Sequence, residues 1–466
     1  MNKVELDPNM SLQDHIDGFF SRTLFRSYDT IKQLVEHIIA EGGDLNVTDR
    51  KGESLLDIFL DYAWHSKSNC TCFQAMLDHG LDVFKFSSAG ETPLMAAYCR
   101  HERPDSTEKR SFAYKLLKHV KNSGASVKDY VMRVNPKNFQ SALHMAALHS
   151  TEQSFKNFLF ALKTFLTEEE FKEVLNQKVE IPNEDIGVLS LQEMERSPYG
   201  AKVVITRNYG NNALHMAMQG GNVKTAMLLN EAGLSFNTVN EYGMSPLMVA
   251  ADSNYYGAMA AVLDILAAKP EQDVAFLGQT DGFGRDLMYI LYKTHEGYAK
   301  QQCNNNQVVM GIKCLCHCLK KKGDYELNAL EDLCNKGQLE RKSLEYDDRV
   351  QELVLLYHDP IRYLLCVSCR DRNMYCGLIA LEYGADPDSY MDYGGITMPA
   401  WQVLAYRRVV ETSNRVSDTC TFLMQCIKKI REEDPDRFTH KPDDPDFAMI
   451  KQVASGALLN ALELVY

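Results

Sequence analysis

The sequence predicts an all-α repeat solenoid, and three observations lead there. Gly210, Asn212, Ala213, Leu214, His215 and Ala217 recur as Gly243, Ser245, Pro246, Leu247, Met248 and Ala250, offset by 33 residues. A second, glycine-led signature recurs as Gly42-Gly43-Asp44-Leu45-Asn46, Gly80-Leu81-Asp82-Val83, Gly233-Leu234-Ser235-Phe236-Asn237 and Gly384-Ala385-Asp386-Pro387-Asp388. Finally, 466 residues with 45% hydrophobic content can build one large core or several small ones in series, and a fixed period selects the series.

Each part of the repeat has a physical reason. The leading glycine permits the left-handed turn that leaves a hairpin loop. The small polar residue and Pro246 start the first helix as cap and first-turn residue. The Leu and Ala positions face the neighbouring unit, where small side chains let helices stack closely. A second helix follows, and Gly233 ends it. The pattern resembles the Gly-x-Thr-Pro-Leu-His-x-Ala-Ala repeat of the ankyrin family. Weaker copies align with it: Gly90, Thr92, Pro93, Leu94, Ala96 and Ala97; then Ser141, Ala142, Leu143, His144, Ala146 and Ala147, with Phe139 in the glycine place. Gly52, Ser54 and Leu56 mark an earlier copy, and Gly284 with Met288 a divergent later one. Counting back from Gly384 places a first helix at 363–369; counting on reaches Gly395 and Thr397, which open a last degenerate unit. The resemblance covers 207–266 fully, 30–160 in weaker copies and 280–430 in fragments.

The turn positions 52, 90, 139, 210, 243 and 284 are 38, 49, 71, 33 and 41 residues apart. Length beyond the period is insertion, which solenoids place in loops on one face. The expected organisation is an N-terminal cap over 1–30 and repeats over 30–280 interrupted at 165–207. A divergent, Cys-rich helical region follows over 281–360, then degenerate repeats with a C-terminal cap over 361–466. The insertion opens on Thr167-Glu168-Glu169-Glu170, a capping box that starts a short helix. Lys178-Val179-Glu180-Ile181 and Lys202-Val203-Val204-Ile205-Thr206 read as two strands, with turns at Pro182 and Pro198-Tyr199-Gly200. The expectation is a β-hairpin excursion; a surface loop is the alternative. The stretch 295–359 holds either one or two eroded repeats or a separate helical element. Glu432 to Asp446 reads as an acidic loop, and Phe447 to Tyr466 as an amphipathic helix that caps the stack.

Composition excludes some functions. A net charge of −13 and a pI of about 5.5 repel phosphate backbones, so direct nucleic-acid binding is not expected; Lys320-Lys321-Lys322 reads as a solvated helix end. Thirteen cysteines, an odd number unevenly spread, read as reduced thiols in a cytosol-like compartment. Met1 to Phe20 carries Glu5, Asp7, Asp14 and Asp17 and lacks the apolar core of a signal peptide. Gly257 to Ala268 is too short to span a bilayer and is broken by Asp264. A soluble chain is expected, exported, if at all, without a removable signal.

Several constellations invite chemistry. His144 and His215 occupy the family's Leu-His position, where the resemblance implies a structural bridge to backbone near the next loop. Cys366-Val367-Ser368-Cys369 suggests zinc or redox work, but in the repeat register these are the small buried positions, and free cysteine behaves as a small hydrophobe. In Cys314-Leu315-Cys316-His317-Cys318 the first and last cysteines share a helical face while Cys316 points away, and no second tight pair completes a zinc site. A nucleophilic pair could form in space from Cys303, Cys314 or Cys334 with His295, His317 or His358, although no local protease signature surrounds them. Kinase, Walker and dinucleotide motifs are absent. No cofactor, metal site or small-molecule substrate is expected.

The family resemblance implies partner binding through the loop tips, or fingers, and the inner side of the first helices. The tip residues Tyr209, Tyr242 and Phe283 would form an aromatic row of rigid anchors. Asn211 and Met244 would flank it, and Gln219 and Ser253 would line the groove. Asn46 and Asn237 match the finger asparagine that asparaginyl hydroxylases modify in ankyrin proteins. The whole chain, with degenerate repeats and large insertions, resembles the ankyrin effectors that intracellular bacteria such as Legionella deliver into host cells. That resemblance implies non-catalytic capture of a host protein in the host cytoplasm or nucleus. A hydrolase with a C-terminal Cys–His site, fed by the repeats, is the alternative.

Overall fold

A computed structural model of the chain describes residues 11–21, 28–48, 54–63, 69–87, 89–99, 108, 111–181, 208–268, 275–282, 284–300, 306–321, 360–371, 373–393, 396–404 and 414–434. Its contacts divide the chain into two compact units, 1–253 and 254–466. The boundary falls inside the 30–280 block that the sequence reads as one repeat array.

In the first unit the elements pair as helical hairpins. First helices Leu55–Ala63, Pro93–Cys99, Ala142–His149, Ala213–Gln219 and Pro246–Asp252 pack each on the next. Second helices Tyr28–Ala40, Asn69–Asp78, Phe112–Asn122, Glu152–Phe165 and Val223–Glu231 form a parallel row with the same neighbour-to-neighbour packing. Helix Leu12–Phe20 packs on Tyr28–Ala40 at the N-terminal end. Local chemistry sets the starts. Ser245 Oγ accepts from Met248 N at 3.3 Å with Pro246 in the first turn. The extra helix Glu168–Leu175 opens on a reciprocal box, in which Thr167 Oγ accepts from Glu170 N and Glu170 Oε2 accepts from Thr167 N.

Close stacking depends on small residues. Ala96, Ala97, Ala146, Ala147, Ala217, Ala250 and Ala251 are buried along the first helices. Larger rings fill the space between hairpins, with Phe73 and Phe112 stacked at 4.2 Å and Tyr98 tilted on Phe158 at 4.9 Å. Two turn positions carry most information. Gly210 sits at φ +78°, and a Cβ there would meet the backbone nitrogen of Glu241 on the next finger, so both conformation and space demand glycine. Phe139, in the equivalent place, adopts φ +60° without being glycine, a strained conformation for a bulky side chain.

The described part of the predicted hairpin excursion is 178–181. No strand forms there. Val179 instead joins the neighbouring finger, donating to Asn211 O and accepting from Gly210 N, both at 2.8 Å. The remainder, 182–207, lies outside the described residues. Around it the array is continuous. Helices Ala142–His149 and Ala213–Gln219 pack directly, and Asn222 Nδ2 donates to Leu148 O at 2.7 Å and Ala147 O at 3.1 Å.

The second unit contains Tyr256–Ala268, the 3₁₀ turn Ala275–Gly278, Leu287–Lys300, Asn306–Lys321, Pro360–Asp371, Met374–Glu382 and Asn414–Glu433. Asn306–Lys321 packs on Tyr256–Ala268, on Leu287–Lys300 and on Met374–Glu382. Leu287–Lys300 and Asn306–Lys321 pack on each other after Gly284; 322–359 lies outside the described residues. A two-stranded antiparallel hairpin pairs Tyr390–Tyr393 with Ile396–Pro399. It stands where the sequence reading places the opening of a last helical unit, so strands occupy a stretch expected to lead into a helix. Buried Asp388 closes this end: its Oδ1 accepts from Trp401 Nε1 at 3.0 Å and from Arg431 Nη2 at 3.1 Å. No described helix is long and apolar enough to cross a membrane.

Candidate functional site

The fingers of the first unit are held by buried polar bridges. His144 Nδ1 accepts from the amide of its own cap, Ser141, at 3.2 Å, while Nε2 meets Gln177 O at 3.0 Å. His215 does the same between Asn212 N at 3.3 Å and Met244 O at 3.1 Å. With Nε2 donating and Nδ1 accepting, both ring nitrogens are satisfied in the neutral form. Ser141 Oγ lies 2.9 Å from Nδ1 of His144 and Asn212 Oδ1 lies 2.7 Å from Nδ1 of His215, so it is removal from water that disfavours the second, charging proton. Burial accordingly pushes His144 down to about 4 and His215 to about 3. The rings are neutral struts between repeats, which fits the bridge implied for that position.

Further buried amides continue the link: Asn240 Nδ2 donates to Asn211 Oδ1 at 2.9 Å, and Asn240 Oδ1 accepts from Tyr242 N and Met244 N. This network corrects part of the predicted contact set. Asn211 is fully buried and Met244 is 8% exposed, so both side chains are spent inside the fingers and cannot flank a partner. Tyr209 and Tyr242 are half-buried on adjacent fingers, which are joined by Glu241 N donating to Tyr209 O at 3.3 Å. Gln219 and Ser253 are also half-buried, at first-helix ends. Phe283 lies outside the described residues.

Among the described residues, a cluster of exposed apolar finger side chains lies elsewhere in the same unit. Phe84, Phe86 and Val134 are 38%, 40% and 38% exposed. Arg133 ties them together, its guanidinium 4.2 Å over the Phe86 ring and its Nη1 donating to Phe84 O. Tyr130 supports the base, with its hydroxyl on Val83 O at 3.0 Å and its ring edge-on to Phe84 at 5.6 Å. A groove opens beside Phe86 between fingers, lined by Leu45, Asn46, Leu81, Asp82 and Lys85. Sequence reasoning missed this patch because it searched the position before the turn glycine. The signal was Phe84-x-Phe86, two large apolar residues in a finger segment where polar ones are usual.

The two asparagines differ. Asn46 is a bridge: Nδ2 donates to Asp44 Oδ1 at 3.0 Å and Gly80 O at 3.1 Å, and Oδ1 accepts from Asp82 N at 2.7 Å. Asn237 is exposed, with its backbone N–H on Ser235 Oγ at 3.1 Å.

The described thiols are poor nucleophiles. Cys72, Cys314, Cys316, Cys318, Cys366, Cys369 and Cys376 are buried. Burial, aided at Cys314 by the Asp264 carboxylate, lifts Cys314 and Cys376 to about 12, and Cys318 donates to Leu263 O at 3.1 Å. His317 is exposed and edge-on to Tyr383, so it faces away from the thiols on either side of it. Among the described residues no three metal-ligating side chains converge. Cys303, Cys334 and His358 lie outside them, as does the His295 side chain.

Comparison with known proteins finds ankyrin repeats: residues 189–273 match the family model described as ankyrin repeats in three copies. Among solved structures, the ankyrin repeat domain of Bcl-3, described as a unique member of the IkappaB family, is similar at 13% identity. That match covers 66% of this chain and 99% of that one with a TM-score of 0.36. The predatory endopeptidase Bd0816 of Bdellovibrio bacteriovorus, in complex with immunity protein Bd3460, is similar at 14% identity, covering 51% and 98% with a TM-score of 0.31. No curated protein matches. The chain thus carries ankyrin repeats in a mostly helical fold, and such repeats are protein–protein interaction modules.

Proposed function

We propose that the first unit captures a protein partner on its finger loops. The observation that carries this reading is the Phe84–Phe86–Val134 patch. Two phenyl rings and a valine stand in water on adjacent fingers, with a guanidinium laid across one ring. Apolar side chains clustered at loop tips are the usual anchors of an interface, and Tyr209 and Tyr242 would extend the contact. The finer reading is that the partner is a host protein and the chain an effector of an intracellular bacterium, acting in the host cytoplasm or nucleus. It rests on the sequence resemblance. The test is quantitative pull-down from host lysate with wild type, Phe84→Ser/Phe86→Ser and Tyr209→Ala/Tyr242→Ala. Loss of the same partner from the phenylalanine variant, at unchanged melting temperature, supports the reading; full retention in both variants defeats it.

Asn46 and Asn237 are proposed as sites for a host asparaginyl hydroxylase. Exposed Asn237 offers its amide at once, whereas Asn46 must first release the bonds to Asp44, Gly80 and Asp82. Intact mass spectrometry after enzyme treatment should find one added oxygen, at Asn237 before Asn46; an unchanged mass removes the proposal. The alternative, a Cys–His hydrolase, gains no support from the described thiols, whose pKa values are raised.

A further inference from the structure

The outer helices of the first unit carry a basic and aromatic surface on a chain that is acidic as a whole. Helix Phe112–Asn122 contains Lys115, Lys118, His119 and Lys121 and no acidic residue, although the protein as a whole has a net charge of −13. Phe112, Ala113, Leu116, Leu117 and Val120 are buried. Tyr114, Lys118 and Lys121, four and then three residues apart, therefore share an outward stripe. The adjacent helix, Glu152–Phe165, adds Phe160, Lys163 and Phe165.

Ring contacts weld the two helices into one surface. Tyr114 stacks on Phe160 at 6.1 Å and tilts on Phe165 at 5.0 Å. Lys121 Nζ lies 5.8 Å over Phe165, and Lys163 Nζ lies 5.5 Å over Phe171. Lys118, Lys121 and Lys163 are exposed, and among the described residues none of the three is ion-paired. The contrast lies on the same helix row, where Lys156 and Lys224 converge on Glu152 at 2.6 and 2.7 Å. Three cations without a carboxylate thus surround a half-exposed platform of three rings.

We infer that this surface docks an acidic segment of a partner protein. Carboxylates of the segment meet Lys118, Lys121 and Lys163, and its apolar side chains lie on Tyr114, Phe160 and Phe165. Charge complementarity selects the partner: Glu168, Glu169 and Glu170 open the helix that Lys163 touches through Phe171, with Glu168 held by Lys172, and acidic charge farther away is screened over about 8 Å at physiological salt. A lipid surface fits less well. The rings lie half-buried and offer no fully exposed side chain for insertion, and headgroup binding uses denser basic clusters, about four to eight residues. The inference is independent of the finger reading, since none of these residues lies on a finger.

The experiment uses the full chain and a fluorescein-labelled peptide of repeating Glu-Leu-Glu-Phe, read by anisotropy at about 20 mM and about 150 mM salt. Binding should weaken with salt. It should fall at least tenfold in Lys118→Glu/Lys121→Glu/Lys163→Glu and survive in the corresponding arginine variant. Hydrogen-exchange footprinting of the wild-type complex, which needs no variant to fold, should show protection on 112–122 and 152–165. Absence of binding, equal binding by the charge-reversed variant, or a footprint elsewhere overturns the inference. So does lysine-dependent capture by phosphatidylserine vesicles without peptide binding.

Discussion

Acid should loosen the repeat array through His144 and His215 before it protonates most carboxylates. In the unfolded chain each ring titrates near its ordinary value of 6.5, whereas in the fold the values are about 4 and about 3. Between those limits the unfolded chain holds more protons than the folded one, so stability rises with pH. The contribution is complete above the unfolded value and is lost as pH falls toward the folded ones. Integrating from pH 7 to pH 5 gives a loss of about 2 kcal/mol for each ring and about 4 kcal/mol for the pair. That is a large fraction of the 5–15 kcal/mol that typically holds a domain together. The assay is urea unfolding followed by circular dichroism at pH 7, 6 and 5, for wild type and for His144→Gln/His215→Gln. The variant loses the bridges and starts less stable at pH 7, but it cannot titrate at these sites. Its pH-dependent loss should be smaller than that of wild type by about 4 kcal/mol. Equal losses would refute the neutral-strut argument.

Three further outcomes follow from packing and charge. Gly210→Ala combines a left-handed backbone with a clash on Glu241 N, so it should cost about 2–4 kcal/mol, whereas Gly42→Ala, at φ +67° with nothing within 4 Å of a new Cβ, should cost only the strain of about 1–2 kcal/mol; chemical denaturation compares them, and equal costs would show that the close approach to Glu241 adds nothing. Removing one side of the buried Asp388–Arg431 pair, as in Arg431→Met, should destabilise the C-terminal unit by about 3–5 kcal/mol, read through the fluorescence of Trp401, whose Nε1 shares Asp388. Burial and the nearby Asp281 carboxylate raise Asp286 to about 8, so the folded chain retains a proton that the unfolded chain releases, and stability drains away as pH rises from about 4 to about 8; Asp286→Asn, which keeps a helix-capping side chain, should therefore raise the melting temperature at pH 8 and leave it nearly unchanged at pH 4.

The repeat was legible in the sequence because its determinants are local. A turn glycine, a cap and a histidine three residues beyond the cap fix the same geometry wherever they recur, and His144 and His215 make the same pair of bonds 71 residues apart. Phe139 shows that the turn survives without its glycine, which is why the alignment held across a substitution. The hairpin at 390–399 was not legible: strands of four residues are too short for alternation to be read, although a Gly-Gly pair in the sequence is a common hairpin signal. Side-chain exposure at the finger tips was not legible. Tip residues can be counted from the period, but whether a tip side chain points to water or into the next finger depends on neighbours far away in sequence. The Asn211 side chain turned inward to accept from Asn240, and the Met244 side chain is buried where Asn240 and His215 hold its backbone N–H and carbonyl, while Phe84 and Phe86 turned outward.

Asn222 reaches back across 74 residues to Leu148, and Gly220 lies so close to Leu148 O that a Cβ would strike it. The helices on either side of the longest excursion thus meet as if it had been excised. Once two ends are fixed as neighbours, doubling the chain strung between them adds only about 0.6 kcal/mol of closure entropy. Evolution can therefore lengthen, trim or replace the stretch 182–207 at little thermodynamic penalty, trying new appendages on a chassis whose stacking order is already settled.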